Sequence, residues 1–346
     1  MNEHNHEQKS QNEHKNEKNT PTKTVFSGLR PTGPCHIGHL AGALRNWLKL
    51  QEKFRCYYSI VTWHGFSSEY MKSVSVRDNT FEVAADWLSI GLDPKKCTIF
   101  VQSEVKEHAE LHLLLSMIIP LPWLERVPTF KEMRKELPDK DLNTYGFLGY
   151  PVLQTADIIL YKAEIVPVGE DQAYHLELAR EITRRFNRLY GDIFPEPKML
   201  LTETPKISGT DGRKMSKSFG NAINLKDSRD VIRQKISTMK TDVRRKRRSD
   251  PGDPDDCPVF TLHKAFLSKE EREELAEGCR HAGIGCLDCK NVVIESIIKI
   301  LNPFWEKRRV LESNPDLVWE ILEEGNKRAR KDAQKTMDEV RAALGF

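Results

Sequence analysis

Two short runs carry residue types suited to phosphate. His36-Ile37-Gly38-His39 lies just after a strand-like stretch and opens a helical one. A helix N-terminus offers unpaired backbone N–H groups and partial positive charge, which suit an anion. Gly38 would let a nucleotide approach the backbone closely. His36 and His39 can donate hydrogen bonds to phosphate oxygens as charge builds in a transition state. Alone, H-x-G-H is a weak signal, because two surface histidines at a helix start give the same letters. The second run is Lys214-Met215-Ser216-Lys217-Ser218, flanked by Gly209, Gly212 and Gly220. Two lysines three apart in a glycine-rich loop make a mobile cationic clamp, since Lys is a compact point charge on a flexible stem. Alone, K-x-x-K reads as a solvated basic loop.

The cysteines suggest a second kind of chemistry. Cys35, Cys56 and Cys97 are scattered, whereas Cys257, Cys279, Cys286 and Cys289 cluster late. Cys279 and Cys286 are six residues apart in between, and Cys286 and Cys289 only two. A C-x2-C arm with two further thiolates can close a tetrahedral site. Zinc and a 4Fe-4S cluster both fit four cysteines, and free thiols are the third reading. Beside this cluster runs Arg244, Arg245, Lys246, Arg247 and Arg248. A later stretch holds Lys327, Arg328, Arg330, Lys331 and Lys335. Each run reads either as a phosphate-contacting face or as a solvated one.

These groups need a scaffold. Thr24–Leu29 reads as a buried strand, followed by the turn RPTGP and a helix from about 38 to 54. Strands at about 57–61 and 98–102 and a helical stretch at 80–91 continue the alternation, which indicates a doubly wound parallel sheet of Rossmann type. Helical patterns cover about 104–118 and 147–162, a strand-like 166–168 follows, and then a helix containing Leu176, Ile182 and Phe186. After about 225 only helices appear, with one irregular insert at 248–258. We therefore expect a disordered tail at 1–23, a nucleotide-binding catalytic domain at 24–225, and an all-helical domain at 226–346. The tail has one apolar residue, Met1, and cannot offset its ordering entropy. His4, His6 and His14 in it are either metal contacts or part of a solvated linker. The chain has 346 residues with a net charge of +3 from 54 basic and 51 acidic residues, which opposes an indiscriminate nucleic-acid binder but not a local basic face. No stretch reaches the roughly 18–20 apolar residues of a membrane span. With no signal-like segment, the expectation is a soluble, cytoplasmic enzyme, in which clustered cysteines favour metal over disulfides.

Together, H-I-G-H and K-M-S-K-S resemble the two signatures of class I aminoacyl-tRNA synthetases. The run YPVLQTADIILYKAEIVPVGEDQAYHLELAREITRRFN (150–187) resembles the tryptophanyl-tRNA synthetases, as do TVFSGLRPTG, LERVPTFKE and TDGRKMSKS. The tyrosyl sibling usually lacks the VGEDQ run. The likeness runs from about residue 24 to the C-terminus. It implies that the carboxylate of L-tryptophan attacks the α-phosphate of ATP, releasing pyrophosphate, with Mg2+ on the phosphates, and that the tRNA ribose then attacks the adenylate. Positioning and charge stabilisation carry such a reaction. Residue by residue, the resemblance implies catalytic roles for His36, Gly38, His39, Lys214, Ser216 and Lys217. It places Arg30, Pro31, Thr32, Gly169, Glu170, Asp171, Met215 and Ser218 around ATP. Asp157 would accept the indole N–H, a donor-only group. Tyr150 and Gln172 would hold the α-amino group, and Val166 and Val168 would line the ring. Residues 285–290 and 248–259 resemble a bacterial subset whose four cysteines hold a 4Fe-4S cluster, zinc being the alternative. The helical C-terminal domain would read the anticodon end of tRNA, in a homodimer. Three positions depart from the family pattern: Thr62 where Asp is common, Gly65 for Ala, and Gln154 for Met. Two rivals are a small nucleotidyltransferase, opposed by the lysine loop and GEDQ run, and a paralogue that binds tryptophan or tRNA without charging, to which Thr62 alone points.

Overall fold

On each of the first three strands, neighbouring residues fall into different apolar layers. Val25, Tyr58, Ile60, Ile99 and Val101 join one cluster, while Phe26, Tyr57 and Phe100 join the other. Period-two alternation with both faces apolar is what a sheet covered by helices on both sides requires. The computed structural model describes residues 23–70, 75–127, 143–169, 173–201 and 206–346. The tail with His4, His6 and His14, together with Glu170, Asp171 and Gln172 and the side chain of Ser218, lies outside the described residues.

Five strands, β1 (Thr24–Leu29), β2 (Arg55–Ile60), β3 (Cys97–Val101), β4 (Ile165–Val168) and β5 (Lys198–Leu201), form one parallel sheet in the order β3-β2-β1-β4-β5. The strand order reverses between β1 and β4, and ligands of such sheets bind outside the carboxyl ends at this switch point. After β1 come α1 (Ile37–His39), a π-helical segment (Leu40–Leu44) and α2 (Arg45–Leu50). The helix expected over 38–54 therefore ends earlier and contains a π-bulge. α3 (Thr62–Glu69) follows β2, and α4 (Val76–Ile90) leads to β3. α5 (Glu107–Ser116), α6 (Leu121–Glu125), α7 (Tyr145–Leu148) and α8 (Tyr150–Ile159) precede β4. α9 (Ala173–Tyr190) precedes β5. Three elements were not anticipated: α3, the short α6 and β5. α3, TWHGFSSE, is built from weak helix formers and owes its helicity to packing. β5 is an edge strand with exposed apolar residues and no alternation to read.

The remaining elements are α10 (Arg229–Ser237), α11 (Phe260–Phe266), α12 (Lys269–Arg280), α13 (Cys286–Ser313) and α14 (Pro315–Leu344). The helices after 226 share a core with the sheet, since Ile232, Ile294, Leu301 and Leu322 pack in the same cluster as Val25, Ile37 and Trp47. α14 closes the β3 edge. Its Asn326 Oδ1 accepts the Val101 N–H at 2.8 Å, and Gly325 presses so close that a Cβ there would sit 1.8 Å from the Ile99 carbonyl oxygen. Covering an edge strand removes an aggregation template. No helix among the described residues is long and apolar enough to cross a membrane.

Candidate functional site

The turn after β1 puts His36 at the N-cap of α1. His36 Nδ1 accepts the Gly38 N–H at 3.1 Å, His39 Nδ1 accepts the His36 N–H at 3.1 Å, and the two rings stack with centroids 3.7 Å apart. A Cβ on Gly38 would strike the His36 ring at 2.8 Å, so Gly38 is needed for this cap. The Ile37 N–H goes to the Ile223 carbonyl at 2.9 Å, and those of His39 and Leu40 go to the His36 carbonyl. This corrects one expectation. The backbone N–H groups of residues 36–40 are already bonded within the protein, and the donors the turn retains are imidazole ones. Burial, then Lys217, lowers His36 to about 3. Burial, then His36, Lys217 and Arg30, holds His39 well below the usual imidazole range. Both rings are neutral at pH 7. Since each Nδ1 accepts, each Nε2 carries the proton.

The lysine loop meets this turn. Lys217 Nζ donates to the Gly33 carbonyl at 2.5 Å, and buried Met215 lies beside Gly38. Burial lowers the Lys217 ammonium from its ordinary range, against the pull of Cys35 and Asp86. Lys214 stays exposed. The loop is held by a residue that motif reading missed. Asn221, 2% exposed, accepts the Ser216 N–H at 2.8 Å and donates to Asp211 Oδ1 at 2.7 Å and to the Lys214 carbonyl at 3.2 Å.

A second polar centre lies on α8, where Tyr150, Gln154 and Asp157 share one face at i, i+4 and i+7. Asp157 is 1% exposed. Its carboxylate accepts from Gln102 Nε2 at 2.8 and 2.7 Å, His108 Nδ1 at 2.7 Å and His64 Nε2 at 3.0 Å. Burial alone would raise this carboxyl, but His108 and His64 outweigh it and hold it below the usual carboxylate range. Burial keeps the Tyr161 hydroxyl protonated, and it bonds His108 Nε2 at 2.8 Å, which orients that ring. Asp157 is the residue expected to accept an indole N–H, and in this structure its acceptor positions are occupied by three side chains that no motif flagged. Their signal was available only as polar residues after β2 and β3, at His64 and at Gln102 and His108. Three further polar atoms near Tyr150 lack a partner among the described residues. The Nδ1 atoms of His64 and His112 and Oε1 of Gln154 are buried without a hydrogen-bond partner among the described residues. The His64 ring stands 4.2 Å from that of Tyr150. Val166 is buried and Val168 half-buried on β4, with Gly169 just beyond. Arg30 links the halves, adding to the lowering of His39, which burial dominates, and opposing the burial that raises the Tyr150 hydroxyl. Pro31 packs against Gly65, where a Cβ would come within 3.2 Å of its ring.

Thr62 has a structural task. Buried at the start of α3, its Oγ1 accepts the Ser103 N–H at 3.1 Å, pinning the loops after β2 and β3 together.

The four late cysteines are neighbours. Burial, then Cys257, Cys279 and Cys286, pushes the Cys289 thiol up to about 12. Arg245 Nη1 lies 3.8 Å from Cys279 Sγ, His263 Nε2 lies 3.4 Å from Cys289 Sγ, and a Cβ on Gly252 would come within 2.9 Å of Cys279 Sγ. Among the described residues, no group of three or more His, Cys, Asp or Glu stands ready to hold a metal ion. Beside these sulfurs Arg245 Nε is buried without an acceptor among the described residues, a positive charge that clustered thiolates could match.

The basic runs are largely engaged within the chain. Arg244 binds Asp242 and Asp256, Arg245 donates to the Ile284 carbonyl, and Arg248 faces Asp288. Lys246 and Arg247 are exposed, with no ion pair among the described residues. On α14, Lys327 pairs with Glu323, Arg328 donates to the Pro94 carbonyl, Arg330 meets Glu107 and Lys335 meets Asp332.

Comparison with known proteins matches this geometry to a family. The model for class I tRNA synthetases of the W and Y kind matches residues 18–302. A tryptophan–tRNA ligase of Thermotoga maritima is 53% identical, covering 93% of this chain and 99% of that one, and its counterpart in Aquifex aeolicus is 43% identical over the same shares. A solved tryptophanyl-tRNA synthetase of Campylobacter jejuni, complexed with ADP and tryptophan, superposes with a TM-score of 0.80 at 35% identity, covering 93% of this chain and all of that one. The neutral histidine pair, the docked Lys217 and the α8 face at the switch point thus belong to a class I aminoacyl-tRNA synthetase of the tryptophanyl-tRNA synthetase family.

Proposed function

We propose that this site joins L-tryptophan to its tRNA in two steps, forming tryptophanyl-adenylate from ATP and then transferring the tryptophan. The observation that carries the reading is Lys217 docked on the Gly33 carbonyl beside two neutral histidines. Phosphates between the loop and the turn would meet the Nε2–H groups of His36 and His39 and the ammonium of Lys217. Donors placed in a dry site stabilise developing charge most effectively. Lys214 and Ser216 would follow the departing pyrophosphate, with Met215 and Ser218 completing the loop. Mg2+ would offset the phosphate charge. Arg30, Pro31 and Thr32 would form one wall of the ATP site, and Gly169, Glu170 and Asp171 the other.

Tryptophan would lie along α8, with Val166 and Val168 against the ring and Tyr150 and Gln172 on the α-amino group. The indole N–H needs an acceptor, and Asp157 supplies it once Gln102, which bridges both carboxylate oxygens, releases one of them. Gln154 Oε1, one turn away on the same face, is a second buried acceptor with no donor among the described residues. A site built to hydrogen-bond a ligand N–H rejects analogues without it.

Cys257, Cys279, Cys286 and Cys289 would hold a 4Fe-4S cluster, or alternatively zinc, in a structural or tRNA-facing role. Iron, sulfide and zinc content of anaerobically purified protein separates the two. The helices after 226 would contact tRNA, with exposed Lys246, Arg247 and Lys331 among the available cations. The protein would work as a homodimer in the cytoplasm. Leu113, Met117, Leu121 and Tyr145, apolar and more than half exposed, support a partner face.

ATP–pyrophosphate exchange with tryptophan and with tyrosine tests the activation step. Exchange with tryptophan alone is expected. No exchange with either, on folded protein with its metal content intact, would refute the reading.

A further inference from the structure

Asp86 is a fully buried acid on the apolar face of α4, and Arg308 is a 2%-exposed cation on α13. Neither belongs to a motif, and each would be costly to bury alone. They meet. Arg308 Nη1 donates to Asp86 Oδ1, and Asp86 Oδ2 accepts the backbone N–H of Cys35 at 2.6 Å. Cys35 is the residue before His36. Arg308 is in turn fixed by Glu82 Oε2 at 2.6 Å and by Glu312 Oε1 at 2.8 Å, and Glu82 by Lys226 at 3.0 Å. Burial pushes the Asp86 carboxyl up to about 6, with Arg308 and the Cys35 N–H pulling the other way. On the far side of the turn, the Cys35 carbonyl accepts the Leu225 N–H at 2.8 Å.

Buried ion pairs are seldom the best way to gain stability, since apolar residues of similar volume often do as well or better. An apolar pair, however, cannot hold a backbone N–H in a fixed direction. We propose that Asp86 and Arg308 are positioning residues for the activation step, clamping the Cys35 N–H so that the His36–His39 turn keeps its phosphate-facing geometry only while α13 is docked. The inference rests on the reading that this turn contacts ATP. Through Arg308 it ties the turn to the helix whose first turn carries Cys286 and Cys289. A displacement of reacting groups by about 1 Å can cost on the order of 100-fold in rate.

The test is a set of full-length variants assayed by ATP–pyrophosphate exchange with thermal melting alongside. The apolar double variant D86L/R308M should melt near the parent. Its kcat/KM for ATP should fall by about 10- to 100-fold, with the KM for tryptophan unchanged. A double variant that melts and exchanges like the parent would overturn the proposal, because a purely structural pair is replaceable. If the double variant does not fold, Asp86→Asn decides. It keeps an acceptor for Cys35 but loses its charge toward Arg308, and the proposal requires the KM for ATP to rise several-fold, so an unchanged value overturns it. His39→Asn separates the two layers. If His39→Asn impairs ATP use and the Asp86 and Arg308 variants do not, the inference alone fails. If His39→Asn has no effect on ATP use, the reading of the turn fails and the inference with it.

Discussion

Replacing Asn221 with alanine removes three hydrogen bonds at once: the acceptor for the Ser216 N–H and the donors to Asp211 and the Lys214 carbonyl. All three lie within the loop that presents Lys214 and Lys217, and Asn221 is buried, so solvent replaces them poorly. At about 0.5–1.5 kcal/mol net per bond, the loss is about 2–4 kcal/mol. At about 1.4 kcal/mol per tenfold, that is a shift on the order of 30- to 1,000-fold in the balance between docked and undocked loop. Part of the shift is absorbed before the docked state ceases to dominate. We therefore expect kcat/KM for ATP to fall at least about 10-fold in pyrophosphate exchange, with the KM for tryptophan little changed. Asn221→Asp should do no better. It keeps the Ser216 bond but sets a second carboxylate against Asp211, whose own is lowered to about 2, chiefly by the Asn221 amide. If N221A folds and uses ATP as the parent does, the argument that Asn221 sets the lysine loop is refuted.

Gln154→Met should raise the KM for tryptophan up to about 10-fold and leave unchanged that for an analogue without the indole N–H; equal effects on both would remove Gln154 from the recognition of that group. Gly325→Ala should destabilise the protein by about 1–3 kcal/mol or more despite alanine's better helix propensity, because the new Cβ meets the Ile99 carbonyl; a melting temperature at or above the parent's would show that α14 does not press on β3. His36 is lowered to about 3, so the unfolded chain takes its proton first as pH falls through about 6.5, and folding stability drops between there and about 3, at up to about 1.4 kcal/mol per pH unit. Denaturant midpoints measured across that window should fall less steeply for His36→Asn than for the parent, and parallel slopes would count against a buried neutral His36.

The parts of the fold visible in the sequence were those with local periodicity. β1 to β4, α4, α5, α8 and α9 each carry their own apolar pattern. α3 carries none, because Gly65 and the serines are weak helix formers and its docking against Pro31 and Gln102 is a long-range fact. The site divides the same way. H-I-G-H and K-M-S-K-S were legible as motifs, and so was Asp157 through its surrounding run. Asn221 was not, since an asparagine after a glycine reads as an ordinary turn. The backbone chemistry of the H-I-G-H turn was misjudged because a helix start normally has spare N–H groups. Only the folded geometry reveals that the two imidazoles take two of them and backbone carbonyls the rest.

That consumption changes what the turn can offer a phosphate. Nδ1 of each histidine is committed to the backbone, so each ring has one remaining nitrogen, and neutrality makes it a donor over the whole physiological range. Charge at the site then comes from Lys217, held beside the turn by the Gly33 carbonyl, and the histidines add directed dipoles without adding charge. A cationic histidine pair stacked at 3.7 Å would repel itself and Lys217. Burial removes that repulsion by keeping both rings neutral, which would let a lysine and two imidazoles converge on one anion. The same economy explains why the turn is pinned from behind by Asp86. With its own N–H groups spent on capping, its position is set by what grips Cys35 and Ile37, and those grips come from α4 and from residues 223–225, far away in sequence.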